Sequence, residues 1–181
     1  MPITKSPSNP GSSKEACKPV NATKETCPEK DNNLSKGIDI IKNSKFSKTD
    51  EGKKVFNRIE EYKDSGKINF EKMDKDIRGK YYGKGAIGIN DIYKENPDAI
   101  ASELVHEATH SVNKDDFPAS KNKQTIDEEM RTNTNQLDLY EEQRETGFRD
   151  PELEDRRDAR NDGNLRDNVR ERYPDSAEHL E

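Results

Sequence analysis

Asn96-Pro97-Asp98-Ala99-Ile100-Ala101-Ser102-Glu103-Leu104-Val105-His106-Glu107-Ala108-Thr109-His110-Ser111-Val112 is the stretch on which the fold turns. Asn96 suits a helix N-cap, Pro97 the first helical position and Asp98 the positive end of the helix dipole. Ile100, Leu104, Val105, Ala108 and Val112 recur at helical spacing and predict a buried stripe. The expectation is one helix from about residue 97 to 112. It carries His106 and His110 four residues apart, on one face.

Upstream, Ile38, Ile41, Val55, Phe56, Ile59 and Tyr62 follow the same spacing, which predicts one or two short amphipathic helices starting near Leu34. Ser65-Gly66-Lys67 interrupts them. Ile68-Asn69-Phe70, Ile77 to Tyr82 and Ala86 to Ile89 then read as strands. Gly83-Lys84-Gly85-Ala86-Ile87-Gly88 formally matches a dinucleotide-loop pattern, but these glycines lead into a strand rather than a helix. A hairpin turn is the better reading. The expected architecture is α+β, with a small antiparallel sheet whose last strand is Ala86-Ile87-Gly88-Ile89-Asn90.

Downstream, Thr125-Ile126-Asp127-Glu128 is a capping box that starts a second helix. Ile126, Met130, Leu137 and Tyr140 form its apolar stripe, and Gly147 stops it. Residues 1–35 are poor in apolar side chains and are expected to be a disordered tail. Residues 36–148 form the domain. Residues 149–181 are dominated by Asp, Glu, Arg and Asn, with Leu153, Leu165 and Val169 as apolar anchors. They are expected to be charged helix fragments lying loosely on the domain, or a disordered tail.

Composition narrows the function. Of 181 residues, 39% are charged and only 27% hydrophobic, too few for a packed core along the full length. The net charge is −6, from 38 acidic and 32 basic residues mixed along the chain, which argues against a nucleic-acid partner. No stretch approaches the apolar length of a membrane span, and the N-terminus lacks the apolar region of a secretory signal. The expected location is cytoplasmic, or outside the cell by a route that reads no signal peptide; the expected state is a monomer. Cys17 and Cys27 lie in the polar tail and read as free thiols rather than a disulfide. Asn21-Ala22-Thr23 matches a glycosylation sequon that carries little meaning without such a signal.

His106-Glu107-Ala108-Thr109-His110 fits the HExxH pattern, in which two imidazoles on one helix face hold zinc and the glutamate between them acts as general base. A third protein ligand is required. No third histidine follows in the metzincin spacing, and His179 lies in a polar terminus. The acidic cluster Asp127-Glu128-Glu129 is the better source. Glu128 belongs to the capping box and falls opposite the apolar stripe; Glu129 falls at the stripe's edge and is the expected ligand. Asn133, one turn on, is expected to hydrogen-bond a ligand. Tyr140, Tyr173 and His179 remain open as partners for a developing oxyanion.

With Glu129-Met130-Arg131-Thr132-Asn133 on the second helix, the chain resembles the minimal gluzincins, zinc metallopeptidases in which HExxH is followed by a glutamate-bearing helix. Thr132 stands where that family usually has alanine. The resemblance covers about Ile68 to Tyr140 and implies a zincin-like fold, Zn2+ as cofactor and a protein or peptide substrate. The small size and isolated core are also similar to bacterial effector and polymorphic-toxin metallopeptidases. In such enzymes an edge strand before the HExxH helix receives the substrate, so Ala86, Ile87, Gly88, Ile89 and Asn90 are expected to bind it. The contrasting expectation is a zinc-binding module of the same fold that performs no hydrolysis.

Overall fold

The structure is a computed structural model that describes residues 30–83, 85–116, 125–174 and 176. Cys17, Cys27, the sequon at Asn21 and His179 lie outside these residues, as does nearly all of the expected N-terminal tail. Among the described residues there are six α-helices and a three-stranded mixed sheet, an α+β arrangement. No described helix is long and apolar enough to cross a membrane.

Helix α1 (Lys30–Asn43) begins earlier than the apolar pattern suggests, and helix α2 (Asp50–Asp64) follows it. Thr49 caps α2 by accepting from the Gly52 amide. Ile38, Ile41, Val55, Ile59 and Tyr62 are all buried, as their spacing requires. At Gly37, α1 lies so close to the next helix in the core that an added Cβ would sit 2.8 Å from Ile100 Cγ2.

That core helix is α3 (Pro97–Asp116). The Asn96 side chain accepts from the Ala99 amide, as an N-cap should, and the helix runs one turn beyond Val112. Its burial exceeds the expected stripe. Every residue from Ala99 to Thr109 is buried, because α1, α2, the sheet and the following helix surround it.

The sheet corrects the expected topology. Strands β1 (Ile68–Glu71), β2 (Gly79–Tyr81) and β3 (Ile87–Asn90) lie in the order β1-β3-β2. β3 runs parallel to β1 and antiparallel to β2, so the sheet is mixed rather than antiparallel. β3 is therefore the central strand, bonded on both sides, and not an edge. The reason is burial. All four β3 residues are buried, with Ile87 and Ile89 fully so, and such a strand belongs in the middle. Short, polar Gly-Lys-Tyr suits an edge. The β2–β3 hairpin itself is as expected: Gly83 and Gly85 both have positive φ, and the Tyr82 amide donates to Ala86 O.

Helix α4 (Ile126–Glu145) starts on the predicted capping box, with Thr125 and Glu128 bonding reciprocally, and the chain turns at Gly147 with φ 100°. The charged C-terminal stretch is helical and firmly packed: α5 (Pro151–Asn161) and α6 (Leu165–Arg172). Asp150 caps α5, and Leu153, Leu165 and Val169 are buried against Ile126, Leu137 and Tyr140 of α4. Two apolar clusters result. The larger joins α1, α2, the sheet and α3 with Leu139 of α4; the smaller joins α4, α5 and α6.

Candidate metal centre

Helices α3 and α4 meet along a seam of polar side chains between the two apolar clusters. His106 and Glu107 are buried, His110 is nearly so, and Glu129 is fully enclosed. The Nε2 atoms of His106 and His110 lie 3.3 Å apart, and His110 Nε2 is 3.4 Å from Glu129 Oε1. The three residues bring one ligand atom each to within 4.8 Å of the others, a group that could hold a metal ion. The residues expected to converge do converge.

The apolar stripe that pointed to Glu129 packs elsewhere than expected. Ile126, Leu137 and Tyr140 face α5 and α6, while Glu129, Thr132, Asn133 and Gln136 are buried along the seam with α3. Glu129 sits at the border of these two faces. Asn133 Nδ2 donates to Glu129 O at 2.8 Å, a bond within α4 to the backbone and not to the ligating carboxylate.

Sequence reasoning missed Gln136. Its Oε1 lies 3.1 Å from His106 Nδ1, and its Nε2 donates to Ser102 Oγ at 3.1 Å and towards Glu103 Oε1 at 3.3 Å. The available signal was its position two helical turns after Glu129, on the same face. Burial holds both imidazoles neutral. It depresses His106 well below the usual histidine range, with the neighbouring His110 and Arg156 adding to the effect. It takes His110 down to about 4, with help from Lys114. Neutral imidazole is the form that ligates metals.

Glu107 is pushed well above the usual carboxylate range. Burial is the main cause, reinforced by the charges of Glu103 and Glu129 and opposed by a hydrogen bond from the Tyr81 backbone amide. That bond shows how β2 lies over the site. Tyr82 N bonds Ala86 O and Asn90 N bonds Arg78 O, so alternate residues Arg78, Lys80 and Tyr82 face β3. Gly79 and Tyr81 therefore turn their backbone groups away from the sheet, toward α3. Gly79 packs directly on the base: an added Cβ would lie 2.9 Å from Glu107 Oε1 and 3.0 Å from its Cγ. Arg78 pins the start of the strand, through Glu103 (2.7 Å) on α3 and Asp150 (2.8 Å) at the cap of α5.

Two cavities, of about 350 and 380 Å3, meet at Gly79, His106, Glu107 and Tyr173. Another cavity, of about 660 Å3, lies apart from them between α1 and the end of α4, and none of the ligating residues lines it. Of the aromatic candidates, Tyr140 is removed from the site: its hydroxyl donates to Glu154 and accepts from the Asp150 amide. Tyr173, at the end of α6, lines both cavities of the cleft. Burial raises its hydroxyl pKa, with Glu129 the next contributor.

Ala86 to Asn90, expected to receive a substrate, cannot do so through backbone pairing. Ile87 to Asn90 are paired to β1 on one side, and their other side is taken by β2. Comparison with family models, with curated proteins and with solved structures finds no match.

Proposed function

We propose that the chain is a zinc-dependent endopeptidase of the minimal gluzincin type. The observation that carries this reading is the convergence of His106, Glu107 and His110 of α3 with Glu129 of α4, in a cleft beneath an open strand edge. Ligand atoms about 2.0–2.1 Å from a tetrahedral ion stand roughly 3.3–3.4 Å apart. Two of the three separations, 3.3 and 3.4 Å, match that spacing, and the third lies within 4.8 Å. Two neutral imidazoles and a carboxylate also suit zinc better than the oxygen-rich sites of calcium or magnesium.

Zinc held there supplies Lewis acidity and a water whose pKa falls to about 7. The chain's own groups do the rest. Glu107, buried between the two histidines on the same helix and ionised once the cation is bound, would take a proton from the attacking water and deliver it to the leaving amine as the C–N bond breaks. The Tyr173 hydroxyl, in the same cleft, donates to the oxygen on which negative charge develops. An extended peptide would lie along the outward edge of β2 beside Gly79, and would take the Tyr81 amide only by displacing its bond to Glu107.

The test combines metal and turnover. Elemental analysis should give one zinc per chain, absent from a His106→Ala, His110→Ala double variant. Mapping new protein N-termini after exposure to the wild-type chain should reveal cut sites. Glu107→Gln should keep its zinc and cut them at least about 10²-fold more slowly. Zinc retained by the double variant, or equal cutting by Glu107→Gln, would overturn the reading.

A further inference from the structure

Arg156 stands in the most highly charged part of the chain, yet it is only 5% exposed. Its Nη1 donates to Asn133 Oδ1 and to Gln136 Oε1, both at 2.9 Å, and its Nη2 donates to Glu152. A guanidinium can only donate hydrogen bonds. It therefore fixes which end of each amide faces it. With Gln136 Oε1 turned to Arg156, the same oxygen meets His106 Nδ1, which must then carry its proton. His106 Nε2 is left with a lone pair, directed at His110 Nε2.

The amide is held at its far end too, less strongly. There the contacts run from 3.1 to 3.4 Å, and the carboxylate oxygen of Glu103 is already engaged by Arg78 at 2.7 Å. The charge-assisted bond from Arg156 is the stronger lock. The other amide, Asn133, bonds the backbone of Glu129. One buried cation thus reaches toward two of the three ligating residues.

We propose that Arg156 is a positioning residue of the metal centre, which holds His106 as its Nδ1–H tautomer through Gln136 and steadies α4 at Glu129 through Asn133. The consequence for metal binding rests on the reading above; the tautomer does not, since it is set in the metal-free chain. If Arg156 merely paired with Glu152 within α5 and filled the space beside α4, its loss would leave the imidazole unchanged.

The experiment is 15N NMR of the histidine-labelled, metal-free full-length chain, followed by zinc competition against a chromophoric chelator. Wild-type His106 should be the Nδ1–H tautomer. In Arg156→Met, with circular dichroism showing the fold kept, the Nε2–H form should become populated and zinc affinity should fall by about 10–100-fold, the scale on which ligand-orienting partners act. Arg156→Lys, which keeps a charged donor, should retain the wild-type tautomer. Finding wild-type His106 as Nε2–H would overturn the proposal, and that measurement needs no variant to fold. So would a folded Arg156→Met with unchanged tautomer and affinity. A wild-type chain that shows the expected tautomer but takes up no zinc would instead count against the peptidase reading alone.

Discussion

Helix α3 has two interiors. Toward α1, α2 and the sheet it presents Ile100, Leu104, Val105, Ala108 and Val112, which pack into the larger apolar cluster. Toward α4 it presents Ser102, His106, Thr109 and Asn113, each hydrogen-bonded across the seam or within its own helix. The first face stabilises by removing apolar surface from water, which tolerates small shifts in geometry. The second contributes little net stability, because its hydrogen bonds replace bonds to water. It contributes direction instead: each amide and hydroxyl fixes the orientation of its neighbour. One helix therefore carries the apolar core on one side and the candidate metal site on the other.

The largest effect should come from breaking the apolar side. Leu104 is fully buried, and Leu104→Ala should lower unfolding free energy by about 2–5 kcal/mol. Denaturant melting measures this, and zinc stoichiometry should be unaffected in the fraction that remains folded. Loss of the metal at unchanged stability would mean that the two faces are not separable.

Gly79→Ala addresses the other side. Its methyl group would press on Glu107 without touching a ligating atom. Turnover should fall by about tenfold, roughly 1.4 kcal/mol of barrier, while zinc content and melting temperature hold. Wild-type turnover in this variant would show that β2 and the base have room to move apart.

The smallest effect concerns the metal-free chain. Glu107 holds its proton well above the usual carboxylate value near 4.5. Between that value and its raised one the native chain binds more protons than the unfolded chain, so stability falls as pH rises. Glu107→Gln removes this loss. Its melting temperature should exceed the wild type's by a margin that grows as pH is raised from 5 to 8, about 2–4 °C for each kcal/mol relieved. The depressed histidines act with the opposite sign. They cost stability as pH falls below 6.5, and for His110 the loss is complete near 4. A margin that shrinks with rising pH would show that Glu107 is ionised without penalty.

Much of this was legible in local patterns. The cap and stripe of α3, the capping box of α4, the β2–β3 turn and the HExxH spacing are short-range signals, and each appears where the residues put it. Strand order was not legible, because pairing β1 with β3 across the intervening β2 is a long-range choice. Four buried residues in β3 argue for its central place only once burial is known. The C-terminal helices were hidden for a different reason. Three apolar anchors suffice to dock them, while Arg156, which reads as a solvated charge, is among their most buried residues. Gln136 and Gly79 carry no motif. Their roles follow from contacts across elements that no spacing rule anticipates.

The ligating trio straddles the seam: two residues belong to α3 and one to α4. An ion seated there would act as a clasp between two helices whose facing side chains near the site are mostly polar. By mass action, an ion present at a hundred times its dissociation constant would add about 2.7 kcal/mol to the folded form. A chain without the ion would lack that increment, and the seam is where its loss would be felt. Resistance to digestion then becomes a readout of metal supply.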